Sequence, residues 1–377
     1  MLKNEKEISI NYINSLRVES FRSHEDFRLS PGQASVLIVG ANGAGKTSLL
    51  EAISIFSYGK GIRNAKFNEM ININKKSFVV NLDLQISKNF SLEYKTFYNI
   101  DNKIRKTYIN EKEALASNIR RSIPMLWIAP YNEKIFTGSS SLRRNFIDRL
   151  VNIFDERHSA RLNEYEKILK QRTKLLKEDS SDINWIETLE KQLSMLSVAI
   201  CSSRLEIVMK ISDFLETSIE NFPKVSIKFI NAIENKIEKA AAIDVESELT
   251  KSYYENRALD KLLGGSRVGC QKSDIEVLNL DRGLSTSMCS SGEQKSVLIS
   301  IIIATAISYR EYTKKAPIIL LDEIFTHLDL EKKNSLLNKL INLKSQIWIT
   351  ATEKESFFQN NSNFCYHYLN NNNSNNS

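Results

Sequence analysis

The chain has 377 residues, enough for two or three domains, with 42% hydrophobic and 26% charged residues, an ordinary soluble balance. Its net charge of +7 fits a nucleic-acid partner and equally a composition rich in Lys, Asn and Ile. Four cysteines (Cys201, Cys270, Cys289, Cys365) without C-x-x-C spacing and four histidines without H-x-x-x-H spacing argue against a zinc site, a disulfide scaffold and a metalloprotease helix. The start, "MLKNEKEISINY", lacks the apolar core of a signal peptide, and the longest apolar run, Val297–Ile307, is about half a membrane span. The expectation is a cytoplasmic protein in reducing surroundings, with no membrane partner.

Residues 13 to about 130 read as strand-rich with one helix. "INSLRVESF" and "FRLSPGQASVLIVG" hold short β-type runs broken at Pro31-Gly32. A loop, Gly40–Thr47, leads into an apolar helix over Ser48–Ser57, and "KSFVVNLDLQISKNFSLEYKTFYNI" alternates as antiparallel strands do. From Ser141 to about Glu220, apolar residues recur at three- and four-residue spacing, interrupted by "DSSDIN". That pattern predicts a helical hairpin, ~25–35 residues per helix and roughly 40–50 Å long. After Pro223, "VSIKFINAI" and "SDIEVLNL" read as strands, Ser290–Tyr309 as a helix, Ile318–Leu321 as a buried strand, and Glu331–Leu343 as a helix. "SQIWITAT" reads as the last strand, and the tail 369–377 is expected to be disordered. The class is α/β.

Gly40-Ala41-Asn42-Gly43-Ala44-Gly45-Lys46-Thr47 fits G-x-x-x-x-G-K-[ST] at every position, between an apolar strand and an apolar helix. Such a loop turns successive backbone N–H groups toward phosphate oxygens at a helix N-terminus. Lys46 would reach the β- and γ-phosphates, and the Thr47 hydroxyl would bind Mg²⁺. Far downstream, "IILLDE" reads as a buried parallel strand delivering Asp322 and Glu323 at its C-terminal edge, where ligands sit in open α/β sheets. Alone it reads equally as a strand ending in a solvated acidic turn. Beside a complete phosphate loop, Asp322 becomes a metal ligand and Glu323 the group that takes a proton from the attacking water. Between them, Ser290-Ser291-Gly292-Glu293-Gln294-Lys295 opens an apolar helix. Ser290 and Glu293 have capping-box spacing, and the same helix end could also hold an anion.

The order phosphate loop, S-x-G-[EQ]-Q-[KR] helix, D-E strand, then H-L-D resembles that of ATP-binding-cassette (ABC) ATPases. Within them the chain is similar to the RecF family, through "LRVESFRSHEDFRLSPG", "LLEAISIFSYGKGIR", "MLWIAPYNEKIFTGSSSLRRNFIDRLV", "EKILKQRTKLL" and "SSGEQKSVLISIIIATA". The resemblance covers most of the chain. It implies an ABC-ATPase head with a mixed sheet and P-loop core: lobe I at 1–140, a short helical arm at 141–225 and lobe II at 226–368. It also implies ATP sandwiched in a homodimer, with the loop and Ser48 of one copy covered by Ser290 and Gly292 of the other, and Asp329 at the seam. The implied activity is weak, DNA-stimulated ATP hydrolysis. The implied partners are duplex and gapped DNA and the mediators RecR and RecO, in gap repair, replication-fork maintenance and the SOS response. A transporter ATPase subunit or another SMC-like ATPase is the alternative.

The chain departs from the family pattern in three places. Tyr131-Asn132 follow Pro130 where an acidic residue is expected. "GGSRVGCQKSD" keeps Gly265 and Arg267 but lacks the expected Pro and His. "ITATEKE" has no histidine, so no switch histidine is assigned. Arg143, Arg144 and the basic run Lys167–Lys177 could meet DNA phosphates, or could be a solvated helix face.

Overall fold

The computed structural model describes residues 9–58, 61–178, 182–216, 219–230, 233–353 and 362–369. The chain forms two units: Met1–Glu133 with Thr217–Pro223 and Ser291–Ser377, and Lys134–Glu216 with Lys224–Ser290. In the first run lie β1 Ser9–Ile10, β2 Tyr12–Phe21, β3 His24–Leu29, β4 Ser35–Gly40, α1 Lys46–Ser54, β5 Ser77–Ser87, β6 Phe90–Asn99, β7 Ile104–Ile109, β8 Lys112–Glu113, α2 Ala116–Ser122 and β9 Met125–Ile128. The second unit holds α3 Ser140–Phe154, α4 His158–Lys177, α5 Ile183–Leu215, β10 Val225–Ile230, α6 Ile233–Ile237, α7 Ala242–Glu255, α8 Arg257–Leu263, β11 Asp274–Asn279 and β12 Leu284–Ser285. The chain then returns through α9 Ser291–Thr313, β13 Lys315–Ala316, β14 Ile318–Leu321, α10 Leu330–Asn342, β15 Ile347–Ala351 and β16 Phe364–Leu369.

In the first unit, five strands form a parallel sheet in the order β16-β4-β15-β14-β9. Val36–Val39, Ile318–Leu321, Ile347–Ala351 and Met125–Ile128 are buried without a break. Covered on both faces, such strands read as continuous apolar runs. The six-stranded antiparallel sheet, β3-β2-β5-β6-β7-β8, alternates instead: Phe78, Val80, Leu82 and Leu84 turn inward along β5. Helix α1 joins the two sheets. Its Leu49, Leu50 and Ile53 share one core with Val36, Ile38 and Trp348 of the parallel sheet and Ile13, Val80 and Leu82 of the antiparallel one. Buried Gln346 fastens the N-terminal segment: its amide donates to the carbonyls of Ile13, Gly32 and Ala34 and accepts from the Ile13 N–H. Helix α9 is buried continuously from Gln294 to Tyr309, so its apolar run is a core helix. Among the described residues, no helix is long and apolar enough to cross a membrane.

β15 is not the last strand. β16 pairs in parallel with β4, from Phe364 opposite Ser35 to Leu369 opposite Gly40. Leu369, expected to begin the disordered tail, ends this strand, and residues 370–377 lie outside the described residues.

In the second unit, α4 and α5 pack together as a hairpin, with Tyr165, Ile168, Leu189 and Leu193 in a common core with Val245, Leu249 and Tyr253 of α7. The helices have 20 and 33 residues, so they are unequal, about 30 and 50 Å long. The unit is also larger than the expected arm at 141–225. Residues 226–290, expected in lobe II, group with the hairpin instead. β10, β11 and β12 form their own antiparallel sheet. Arg143 of α3 clasps Asp274 of β11 through both guanidinium edges, at 2.7 and 2.8 Å. Of the side chains offered as DNA contacts, the three arginines are spent on internal bonds. Arg143 serves Asp274, Arg144 donates to the Ser273 carbonyl, and Arg172 is fully buried, whereas Lys167, Lys170, Lys174 and Lys177 are exposed.

Candidate nucleotide site

The loop begins where β4 ends, at Gly40, and closes at Lys46, the first residue of α1. Gly45 has φ +91°, in the left-handed region open to glycine, and a β-carbon there would lie 2.4 Å from Ser23 Oγ and 2.6 Å from His24 Nε2. His24 hydrogen-bonds the Gly45 carbonyl at 3.0 Å, so β3 braces the loop. Burial lowers the His24 pKa from its ordinary value, with His367 adding to the effect and the Gly45 bond opposing it. Ala41, Asn42 and Gly43 are exposed, and Ala44 and Gly45 are half-buried. The Ser48 N–H makes an early helical bond, to the Gly45 carbonyl at 3.0 Å.

Lys46, buried to 4% exposure, donates to the carbonyls of Gly40 (2.8 Å) and Ala41 (3.0 Å), with its Nζ 3.9 Å from Glu323 Oε1. The Thr47 hydroxyl faces both oxygens of Asp322, at 3.0 and 2.9 Å. Asp322 stands where β14 ends, its N–H continuing the ladder to the Ile128 carbonyl. Burial raises the Asp322 pKa, and the neighbouring Glu323 charge adds to this, against bonds from Thr350 and Thr47 and the charge of Arg63. Four predicted residues, Lys46, Thr47, Asp322 and Glu323, thus meet at one edge of the parallel sheet.

Thr47 and Asp322 present hard oxygen donors side by side. No group of three or more His, Cys, Asp or Glu that could hold a metal occurs among the described residues. Two protein oxygens fit Mg²⁺, which keeps water and substrate phosphate in most of its shell.

The remaining predicted residues have local surroundings. Ser290 is exposed just ahead of α9, and Gly292 lies in its first turn, where a β-carbon would find only the His327 carbonyl, at 3.8 Å. Asp329 caps α10, accepting the Lys332 N–H at 2.8 Å. Neither Gly292 nor Asp329 is hydrogen-bonded to the loop of its own copy among the described residues. Asn132, two residues after Pro130, is buried and takes the Ala129 N–H at 2.9 Å. Sequence reading missed His24 and Thr350. A lone hydroxyl in the apolar run "IWITA" was the available signal for Thr350.

Residues 12–375 match the RecF/RecN/SMC N-terminal domain family. The DNA replication and repair protein RecF of Rickettsia africae (strain ESF-5) is 35% identical over 91% of this chain and 95% of its own length. RecF of Rickettsia prowazekii (strain Madrid E) is 35% identical over 91% and 94%. Two solved structures of the recombination mediator RecF in the RecFOR pathway share the fold. The one with ATP has TM-score 0.84 at 23% identity, covering 94% of this chain and 95% of that one. The one with ATPrS has TM-score 0.83 at 22% identity, covering 97% and 98%. On a match along nearly its whole length and relatives about a third identical throughout, the chain belongs to the RecF family of DNA replication and repair proteins.

Proposed function

We propose that this chain is an ATP-switched DNA clamp in recombinational repair of single-strand gaps, replication-fork maintenance and SOS induction. The convergence of Lys46, Thr47, Asp322 and Glu323 carries the reading. ATP is the nucleotide named for a RecF of the same fold. The amides of Gly40–Thr47 would cradle its phosphates, and Lys46 would exchange two carbonyl partners for β- and γ-phosphate oxygens. Mg²⁺, held by Thr47 and Asp322, would offset phosphate charge in the transition state. Glu323, one-third exposed, would take the proton of the attacking water.

Ser290 and Gly292 of a second copy would complete the pocket, with Asp329 at the seam. A lone subunit therefore hydrolyses slowly, DNA speeds the reaction by favouring the pair, and hydrolysis releases the clamp. Binding to duplex and gapped DNA is mostly phosphate contact, hence salt-sensitive. RecR and RecO are the protein partners, in the cytoplasm.

Sedimentation with and without ATP, Mg²⁺ and gapped duplex tests this. The wild type is expected to dimerise with ATP, Lys46→Ala to stay monomeric, and Glu323→Gln to form a dimer long-lived on DNA. A wild type monomeric under every condition sinks the clamp. A Glu323→Gln dimer that dissociates at the wild-type rate sinks release by hydrolysis and leaves a nucleotide-gated binding module.

A further inference from the structure

The backbone of Glu323 is unusual. Its φ is +49°, a left-handed conformation that a residue with a β-carbon keeps only when its surroundings enforce it. Two buried side chains from other elements hold it. On one side, its N–H donates to Thr350 Oγ1 of β15 at 2.9 Å. On the other, its carbonyl accepts from Lys295 Nζ of α9 at 3.0 Å and from the adjacent Thr326 hydroxyl at 2.6 Å. Thr350 is 1% exposed and Lys295 4%.

Each holder has a second attachment. Thr350 donates its only hydroxyl proton to Asp322 Oδ1, at 2.7 Å. One oxygen thus joins the backbone of the proposed base to the carboxylate of the proposed metal ligand. The β-branch of Thr350 restricts the rotation of that oxygen about χ1. Lys295 also binds the Thr326 carbonyl (3.0 Å) and hydroxyl (2.8 Å), gripping the whole Glu323–Thr326 turn. It stands three residues beyond Gly292, on the same face of α9.

We infer that Thr350 and Lys295 are paired positioning residues that set the Glu323 backbone. Thr350 aligns base and metal ligand together. Lys295 ties that base to the helix proposed to cover the other copy's ATP, so closure over one nucleotide steadies the base facing the other. This rests on the proposed function above, since it assigns Glu323 and α9 the roles given there.

The test uses the full-length chain and four variants. Thr350→Val keeps the shape and removes the hydroxyl; Thr350→Ser restores it. Lys295→Met keeps the stem and removes the donors; Lys295→Arg restores donors. The readouts are kcat and KM for ATP, affinity for a fluorescent ATP analogue with Mg²⁺ or EDTA, and amide exchange of the peptide containing Glu323. Thr350→Val is expected to lower kcat about 10- to 100-fold with KM within about twofold, to raise the half-saturating Mg²⁺ concentration, and to speed exchange at Glu323. Thr350→Ser should recover to within a few-fold. In wild type, ATP should slow Glu323 exchange further; in Lys295→Met it should not, and Lys295→Arg should regain part of the effect.

Thr350→Val indistinguishable from wild type in kcat and in exchange overturns the grip. An ATP response preserved in Lys295→Met overturns the link to α9. Thr350→Ala replaces the valine variant if that one fails to fold. A wild type that neither binds nor hydrolyses ATP defeats the proposed function instead, and exchange without nucleotide still decides the grip.

Discussion

The phosphate loop and the second unit handle buried charge in opposite ways. In the second, Arg172, with no exposure, donates to Glu190, Asp260 and the Tyr253 carbonyl, and Arg257 closes on Glu190 as well. Arg204 forks onto Asp148, which also bonds His158. These charges have opposite charges within hydrogen-bond reach. At the phosphate loop, by contrast, Lys46 spends its donors on carbonyls, and the Asp322 carboxylate is met by the hydroxyls of Thr47 and Thr350. The same residue type responds in opposite directions. Burial alone would raise Asp148, but the Arg204 charge and the bonds from His158 and Arg204 pull it down to about 2. Burial wins at Asp322, whose pKa is raised. A closed network is part of the scaffold, whereas an open one leaves electrostatic demand for a ligand to meet.

The largest expected effect comes from opening the closed network. Arg172→Ala strands Asp260 in the interior, leaves Glu190 with Arg257 alone, and should cost about 3–5 kcal/mol, seen as a lower urea midpoint. An unchanged midpoint would mean the pairs are not a scaffold. Acid should act next through Asp148. Its folded pKa of about 2 lies below the ordinary 3.8, so its contribution is complete above that ordinary value and is lost as pH falls toward 2. The contribution is about 2 kcal/mol, and Asp148→Asn should erase that part of the acid-unfolding curve. The smallest effect has the opposite sign. A raised carboxylate pKa means that ionisation disfavours the folded state, so Asp322 subtracts stability at neutral pH. Asp322→Asn should raise the urea midpoint of the nucleotide-free protein while abolishing Mg²⁺-dependent hydrolysis. A loss of stability there would show that the loop network is as closed as the other.

The parts of the site with strong local grammar could be read directly. The loop glycines, Lys46 and Thr47 form a continuous motif, and Ile318–Leu321 is a buried strand by its apolar run alone. What escaped depended on partners far away in sequence. β16 ("FCYHYL") mixes polar and apolar residues beside an Asn-rich tail, and its strand character comes from pairing with β4. The spacing of Val245, Leu249 and Tyr253 could have disclosed α7, yet the helices between β10 and β11 went unread. The attachment of β11 to α3 has no local signal, because it runs through an ion pair 131 positions apart, Arg143 with Asp274. Thr350 looked like one more β-former, and only the fold brings its hydroxyl to Asp322 and Glu323.

β4 takes its neighbours from the far end of the chain, with β15 on one side and β16 on the other. Gln346 repeats that span, clasping Ile13 across 333 positions. On the ribosome, the phosphate loop is therefore made early and seated late. The nascent chain carries every motif residue long before the sheet edge that fixes β4 exists, and closing so long a span is entropically slow. Competence to grip a nucleotide becomes a late checkpoint of synthesis, reached only as the closing strands dock.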